Sequence, residues 1–232
     1  MKHLILASTS TLPDDLFLNY LLPKLEVFYK NATTITFIPY ARPGGISHEH
    51  YTRHVSQAFS KIGKKIIGLH SYDNPKKGIE KAEALFTGGG NTFLLVKTLY
   101  DLDLLKVLKN KIEYGTPYLG CSAGSNIAGQ NMQTTNDMPI VMPKKFKTMG
   151  LIPFNINAHY IDLIPGLKHQ GESRETRIKE FHQFHDIPVI GLREGSYLEV
   201  LGDQIFLRGE FKAKLFRKDM VAEEITEIPI FN

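Results

Sequence analysis

The chain has 232 residues, 42% of them hydrophobic and 22% charged, with a formal net charge of +4. That is enough chain and enough apolar surface for one α/β-sized domain over 1–232, while the mild, scattered positive charge lacks the interleaved aromatics of a nucleic-acid surface. One cysteine excludes an internal disulfide, the apolar run at the start is too short for a signal peptide, and no stretch approaches the roughly 18 to 20 apolar residues of a membrane helix, so a cytoplasmic monomer or homodimer with no membrane partner is expected.

Residues 3–7 are an apolar run that stops at Ser8, Thr9 and Ser10 and is expected as a buried strand. Asp14 or Asp15 is expected to cap a helix with Leu18, Leu21, Leu22 and Leu25 on one face. Residues 34–38, β-branched and ended by Pro39, are the second expected strand. Helical spacing over 48–62 is followed by strand character over 65–69, a short helical piece over 77–82 and an apolar strand over 84–87. The strand stops at Gly88-Gly89-Gly90-Asn91-Thr92, and helices are expected over 92–100 and 104–114. A strand over 117–119 then runs into Gly120-Cys121-Ser122-Ala123-Gly124.

Beyond this point the pattern loosens. Residues 131–147 are polar and read as a loop or hairpin, 154–158 as a strand delivering His159, 165–172 as a loop and 174–185 as a helix. A strand over 189–192 ends at Arg193-Glu194-Gly195, and short alternating runs over 197–201, 204–207 and 212–216, with turns at Gly202-Asp203 and Arg208-Gly209, read as antiparallel hairpins. Strands alternating with helices predict an α/β fold: a three-layer, doubly wound, mostly parallel sheet with antiparallel hairpins at its C-terminal end. Ligands gather at the carboxyl ends of such strands, where Gly88 to Thr92, Ser122, His159 and Glu194 all fall.

Residues 120–124 match G-x-S-x-G, the pattern of a nucleophile elbow. A serine in a sharp strand-to-helix turn is lifted clear of the sheet, and small neighbours keep the turn from clashing. The turn leaves the amide of Ala123 facing the place where an oxyanion would form. Serine needs a base, and His159 is the candidate, since it alone of nine histidines follows an apolar strand downstream of the elbow. Glu194 and Asp137 compete to orient the imidazole, in the chain orders Ser-His-Glu and Ser-Asp-His. The Gly88-Gly89-Gly90 run can supply a second oxyanion amide, but it lacks a phosphate-binding signature. Cys121 is out of register for the nucleophile and reads as a packing residue. His48, His50 and His54 lack the H-E-x-x-H order, so a solvated helix face is expected there rather than zinc, and His182 and His185 likewise read as surface. Arg174-Glu175-Thr176-Arg177 is either a charged helix start or an arginine fork for a carboxylate.

These motifs resemble one family. The segment 8–13 (STSTLP), Gly88 to Phe93, Cys121 to Asn126, 134–140 (TTNDMPI), Asn157-Ala158-His159, Gly171-Glu172-Ser173-Arg174 and Ile190 to Gly195 together are similar to peptidase E, the α-aspartyl dipeptidase family of serine exopeptidases. The resemblance implies a sheet related to class I glutamine amidotransferases and cleavage of small Asp-X dipeptides with no metal or organic cofactor. It implies Ser122 as nucleophile, His159 as base, Glu194 as orienter, Gly90 and Ala123 as oxyanion amides, and Arg174, with Asn91 and Asp137, on the substrate side. Two positions depart from the family pattern: Cys121, where a bulky aromatic is frequent, and Arg193, where a proline is familiar. A cyanophycinase-like peptidase acting on β-linked aspartyl-arginine and a non-catalytic binding or sensor protein on the same fold are the rival readings.

Overall fold

The computed structural model describes residues 1–162 and 172–231, so most of the loop expected over 165–172 lies outside the described residues. The strands are β1 (His3–Ala7), β2 (Thr34–Ile38), β3 (Lys65–Gly68), β4 (Ala84–Thr87), β5 (Tyr118–Cys121), β6 (Asn155–Ala158), β7 (Val189–Leu192), β8 (Ser196–Leu201), β9 (Gln204–Gly209), β10 (Ala213–Phe216) and β11 (Glu223–Ile225). The helices are α1 (Leu22–Phe28), α2 (His48–Ser60), α3 (Pro75–Glu80), α4 (Thr92–Asp101), α5 (Leu105–Glu113), α6 (Ala123–Asn126) and α7 (Arg174–His182).

Seven strands form one sheet in the order β3-β2-β4-β5-β1-β8-β9, parallel from β3 to β1 and antiparallel at β8 and β9. Side chains alternate across a strand, and β1 divides the core accordingly. Ile5 and Ala7 face a cluster with Leu21, Leu25 and Phe28 of the α1 region and with Tyr51, Val55 and Phe59 of α2. Leu4 and Leu6 face the opposite cluster, with Leu95 and Leu99 of α4, Leu108 and Ile112 of α5, and Ile156, Ile190 and Leu215. The sheet is therefore covered on both faces.

The last three residues of that second cluster belong to a separate four-stranded sheet, β11-β10-β7-β6, a layer that periodicity did not anticipate. β6 and β7 run parallel in it, so His159 and Glu194 leave a different sheet from the one that carries Ser122. The single shared sheet edge expected for all three is corrected to two sheets whose strand ends meet. The Arg208-Gly209 turn is corrected too. β9 continues through both residues against Tyr197 and Ser196, and β10 leaves to pair with β7 instead.

Two further local expectations fail. Neither Asp14 nor Asp15 caps α1: a 3-10 turn at Asn19–Leu21 intervenes, and the helix begins at Leu22 with a proline in its first turn. The Asp15 carboxylate instead accepts from the Leu16 amide at 2.8 Å and from the Asn19 side chain at 2.8 Å. His182 is buried, not a surface residue, because its ring bonds the Ile187 carbonyl at 3.0 Å beneath α7.

Candidate active site

The elbow is built by close packing. Ser122 lies at φ 53°, ψ −111°, a backbone geometry that a non-glycine residue keeps only where its surroundings enforce it. They do so here: its amide donates to the Ala7 carbonyl at 3.0 Å, and Gly120 and Gly124 flank it where no side chain fits. A Cβ on Gly124 would lie 2.2 Å from the Thr87 carbonyl oxygen, and one on Gly120 2.5 Å from the Gly124 carbonyl oxygen. The helix α6 is thus pressed on β4 and β5, with Ala123 as its first residue and the Ala123 amide among the donors that a helix start leaves without an intrahelical acceptor.

His159 follows β6 and, like Ser122, has a positive φ, at 55°. Its Nε2 lies 2.8 Å from the Ser122 Oγ, and its Nδ1 lies 2.5 Å from the Glu194 Oε1. Ser122, His159 and Glu194 therefore meet as a chain of two hydrogen bonds. The imidazole and the carboxylate keep 37% and 41% side-chain exposure, which leaves the site open to a solute.

Asp137 stands elsewhere. Its Oδ2 accepts from the Thr92 amide at 2.7 Å and from the Thr135 hydroxyl at 2.8 Å, so its charge sits at the N-terminus of α4. Asn91 is the N-cap of that helix: its Oδ1 accepts from the Leu94 amide at 3.0 Å, and its Nδ2 donates to the Met138 carbonyl at 2.8 Å. The glycine run that precedes it adjoins the serine. A Cβ on Gly89 would come 3.1 Å from the Ser122 Cβ, and Gly90, at φ 141°, has the Ala41 carbonyl where a Cβ would be.

Arg174 is the first residue of α7, on a helix capped by the Ser173 hydroxyl. Partial burial, and then the neighbouring Arg177, lower its pKa, while the charge of Asp137 opposes the shift. Cys121 is fully buried, and burial pushes its thiol well above its usual range, so it is no nucleophile.

Among the described residues, no three His, Cys, Asp or Glu side chains are placed to share a metal ion. His54 packs its ring edge on Phe17, and His48 lies 5.6 Å from His70, ring to ring. No described helix is long and apolar enough to cross a membrane. Ser8 is buried at the end of β1 and is bonded to the His159 amide; the signal available was a hydroxyl run directly after an apolar strand.

A serine hydroxyl on an imidazole that is itself held by a carboxylate is the arrangement of acyl-transfer hydrolases, here set at the strand ends of an α/β fold. The family model for peptidase family S51 matches residues 4–208, and the chain belongs to that family of peptidases. Peptidase E of Streptomyces coelicolor is 42% identical over 223 residues, covering 96% of this chain and 90% of its own. A probable α-aspartyl dipeptidase of Drosophila melanogaster is 40% identical over 230 residues, covering 98% and 95%. The crystal structure of a peptidase from an acI-B1 actinobacterium superposes with a TM-score of 0.71 over 98% of this chain and 95% of that one, and at 17% identity it carries the fold alone.

Proposed function

We propose that this protein is a serine dipeptidase that cleaves dipeptides with an N-terminal aspartate through an acyl-enzyme on Ser122. The observation that carries this reading is the pair of contacts at His159, 2.8 Å to the Ser122 hydroxyl and 2.5 Å to Glu194. His159 takes the hydroxyl proton on Nε2 as Ser122 Oγ attacks the peptide carbonyl. Glu194 holds the imidazole in the tautomer that can accept that proton and stabilises the imidazolium that results. The amides of Gly90 and Ala123 receive the oxyanion, each such donor being worth roughly 3 to 4 kcal/mol. The imidazolium then protonates the leaving amine, and a water repeats the sequence on the ester.

The preference for aspartate rests on Arg174 and on the names of the relatives. A half-buried guanidinium left without a carboxylate costs more than one that finds it, so an uncharged first residue is disfavoured. Asp137 and Asn91 are bonded to each other's segments at the start of α4, and on this reading the Asp137 carboxylate receives the substrate ammonium.

A panel of Asp-Leu, Glu-Leu, Asn-Leu, Ala-Leu and a β-Asp-Arg dipeptide tests the reading. Asp-Leu is expected to turn over fastest, and Ser122→Ala or His159→Ala to lower kcat roughly 10⁶-fold. Turnover of Asp-Leu persisting in Ser122→Ala would end the proposal, and preference for β-Asp-Arg would replace the substrate.

A further inference from the structure

We propose that Ser8 is the positioning residue of this site: a single hydroxyl that ties the base and the segment bearing its carboxylate to the end of β1, where the amide of the nucleophile is also bonded. The inference rests on the serine-peptidase reading above. β1 lies in the seven-stranded sheet, whereas His159 and Glu194 leave the other sheet, so something must set the two in register at the seam. The Ser8 hydroxyl is fully buried and lies at that seam. It donates its proton to the Leu192 carbonyl at 2.7 Å and accepts from the His159 amide at 2.9 Å.

Both capacities of the hydroxyl are thereby used, one on each of the two strand ends that matter. Leu192 is the last residue of β7, two before Glu194, and its carbonyl also accepts from the Tyr160 amide at 3.1 Å. On the other bond, the His159 amide is anchored at the residue whose φ is 55°, a conformation that needs an external hold. The preceding residue completes the device, since the Ala7 carbonyl accepts the Ser122 amide at 3.0 Å and the Ser125 hydroxyl at 2.7 Å. The last residue of β1 and the one after it therefore bond the backbone of the nucleophile, the backbone of the base and the strand that leads to the carboxylate. Alanine at position 8 removes both bonds, and threonine adds a methyl group to a buried position. Only a small hydroxyl residue meets the geometry in full.

The test compares wild type with Ser8→Ala and Ser8→Cys, and uses Thr148→Ala, which removes a buried hydroxyl bonded to the Gly129 carbonyl outside the site, as a stability control. For Asp-Leu, Ser8→Ala is expected to lower kcat roughly 10- to 100-fold with KM little changed, because small misplacement of reacting groups costs about that much. Ser8→Cys, a weak donor of similar size, should fall between the two and serves alone if the alanine variant does not fold. The rate of Ser122 phosphorylation by diisopropyl fluorophosphate should fall in parallel. The low-field proton resonance of the His159–Glu194 hydrogen bond should shift or broaden in both variants and stay unchanged in Thr148→Ala. Unchanged kcat and resonance, or a loss no larger than in Thr148→Ala at matched thermal stability, would overturn the proposal. If the wild type neither turns over Asp-Leu nor takes the reagent, the peptidase reading fails, and the resonance alone still decides what Ser8 does.

Discussion

Glu194 and Asp137 carry the same charge and differ in what they touch. The first is 2.5 Å from the His159 ring, and the second is spent on the Thr92 amide and the Thr135 hydroxyl. Glu194→Gln should therefore lower kcat for Asp-Leu by about 10⁴-fold, since an amide can hold the imidazole in the wrong tautomer. Asp137→Asn should act chiefly on KM and on the stability of α4; the opposite ranking in steady-state kinetics would reassign the carboxylate. Cys121 adjoins the serine in sequence yet is sealed from solvent. Iodoacetamide at neutral pH should label it only after unfolding, and Cys121→Ala should keep most of the turnover at a cost of about 1 kcal/mol in stability. Rapid labelling of the native protein would contradict its burial. Arg193, the other departure from the family pattern, bonds Asp162, Glu224 and the Lys212 carbonyl, so it ties the residue before Glu194 to the ends of three segments where a proline would supply stiffness alone.

Among the elements, α6 and the turn before it depend on backbone contact. Gly124→Ala would force a Cβ to within 2.2 Å of the Thr87 carbonyl, with neither side free to move without pulling α6 off the sheet. A loss of roughly 3 kcal/mol or more is expected in thermal denaturation, together with loss of activity. Gly44→Ala, in open space, should change neither, and equal melting temperatures for the two variants would refute the packing argument. Most elements were legible from neighbouring residues. β2 and β4 match their expected spans, because a β-branched or apolar run that ends in proline or glycine carries its own boundaries. α1 starts later than its sequence suggests: Asp14 and Asp15 look like caps, but Pro23 in the first turn and the left-handed Leu18 decide where the helix starts. The polar neighbours of His182 suggest a surface residue, and only the packing of its ring against the Ile187 carbonyl, beyond the end of α7, buries it.

Across the whole molecule, charge is buried where the sheet turns antiparallel. Glu199 on β8 is 6% exposed and is bonded by Lys24 at 2.5 Å and by Arg208 at 3.2 Å. Burial would raise its pKa, but the bonds from Lys24 and Arg208 outweigh it and hold the carboxyl below its ordinary value of 4.5. A carboxyl lowered by folding contributes its stability above the unfolded value and loses it as the pH falls through the lower folded value. The melting-temperature gap between wild type and Glu199→Gln should therefore be widest near neutrality and close as the pH drops below 4.5. A gap that persists in acid would show that shape, rather than charge, is what the glutamine loses.

The amino-acid order alone determined the alternation of strands and helices, the sharp turn at Ser122 and the family, because each is written in residues adjacent along the chain or in motifs that keep their spacing. Tertiary structure decided that the strands divide between two sheets, that His159 and Glu194 follow strands of the smaller one, and that Glu194 rather than Asp137 lies against His159. Those outcomes depend on hydrogen bonds such as Ser8 to His159, between residues 151 positions apart, which no local period can encode.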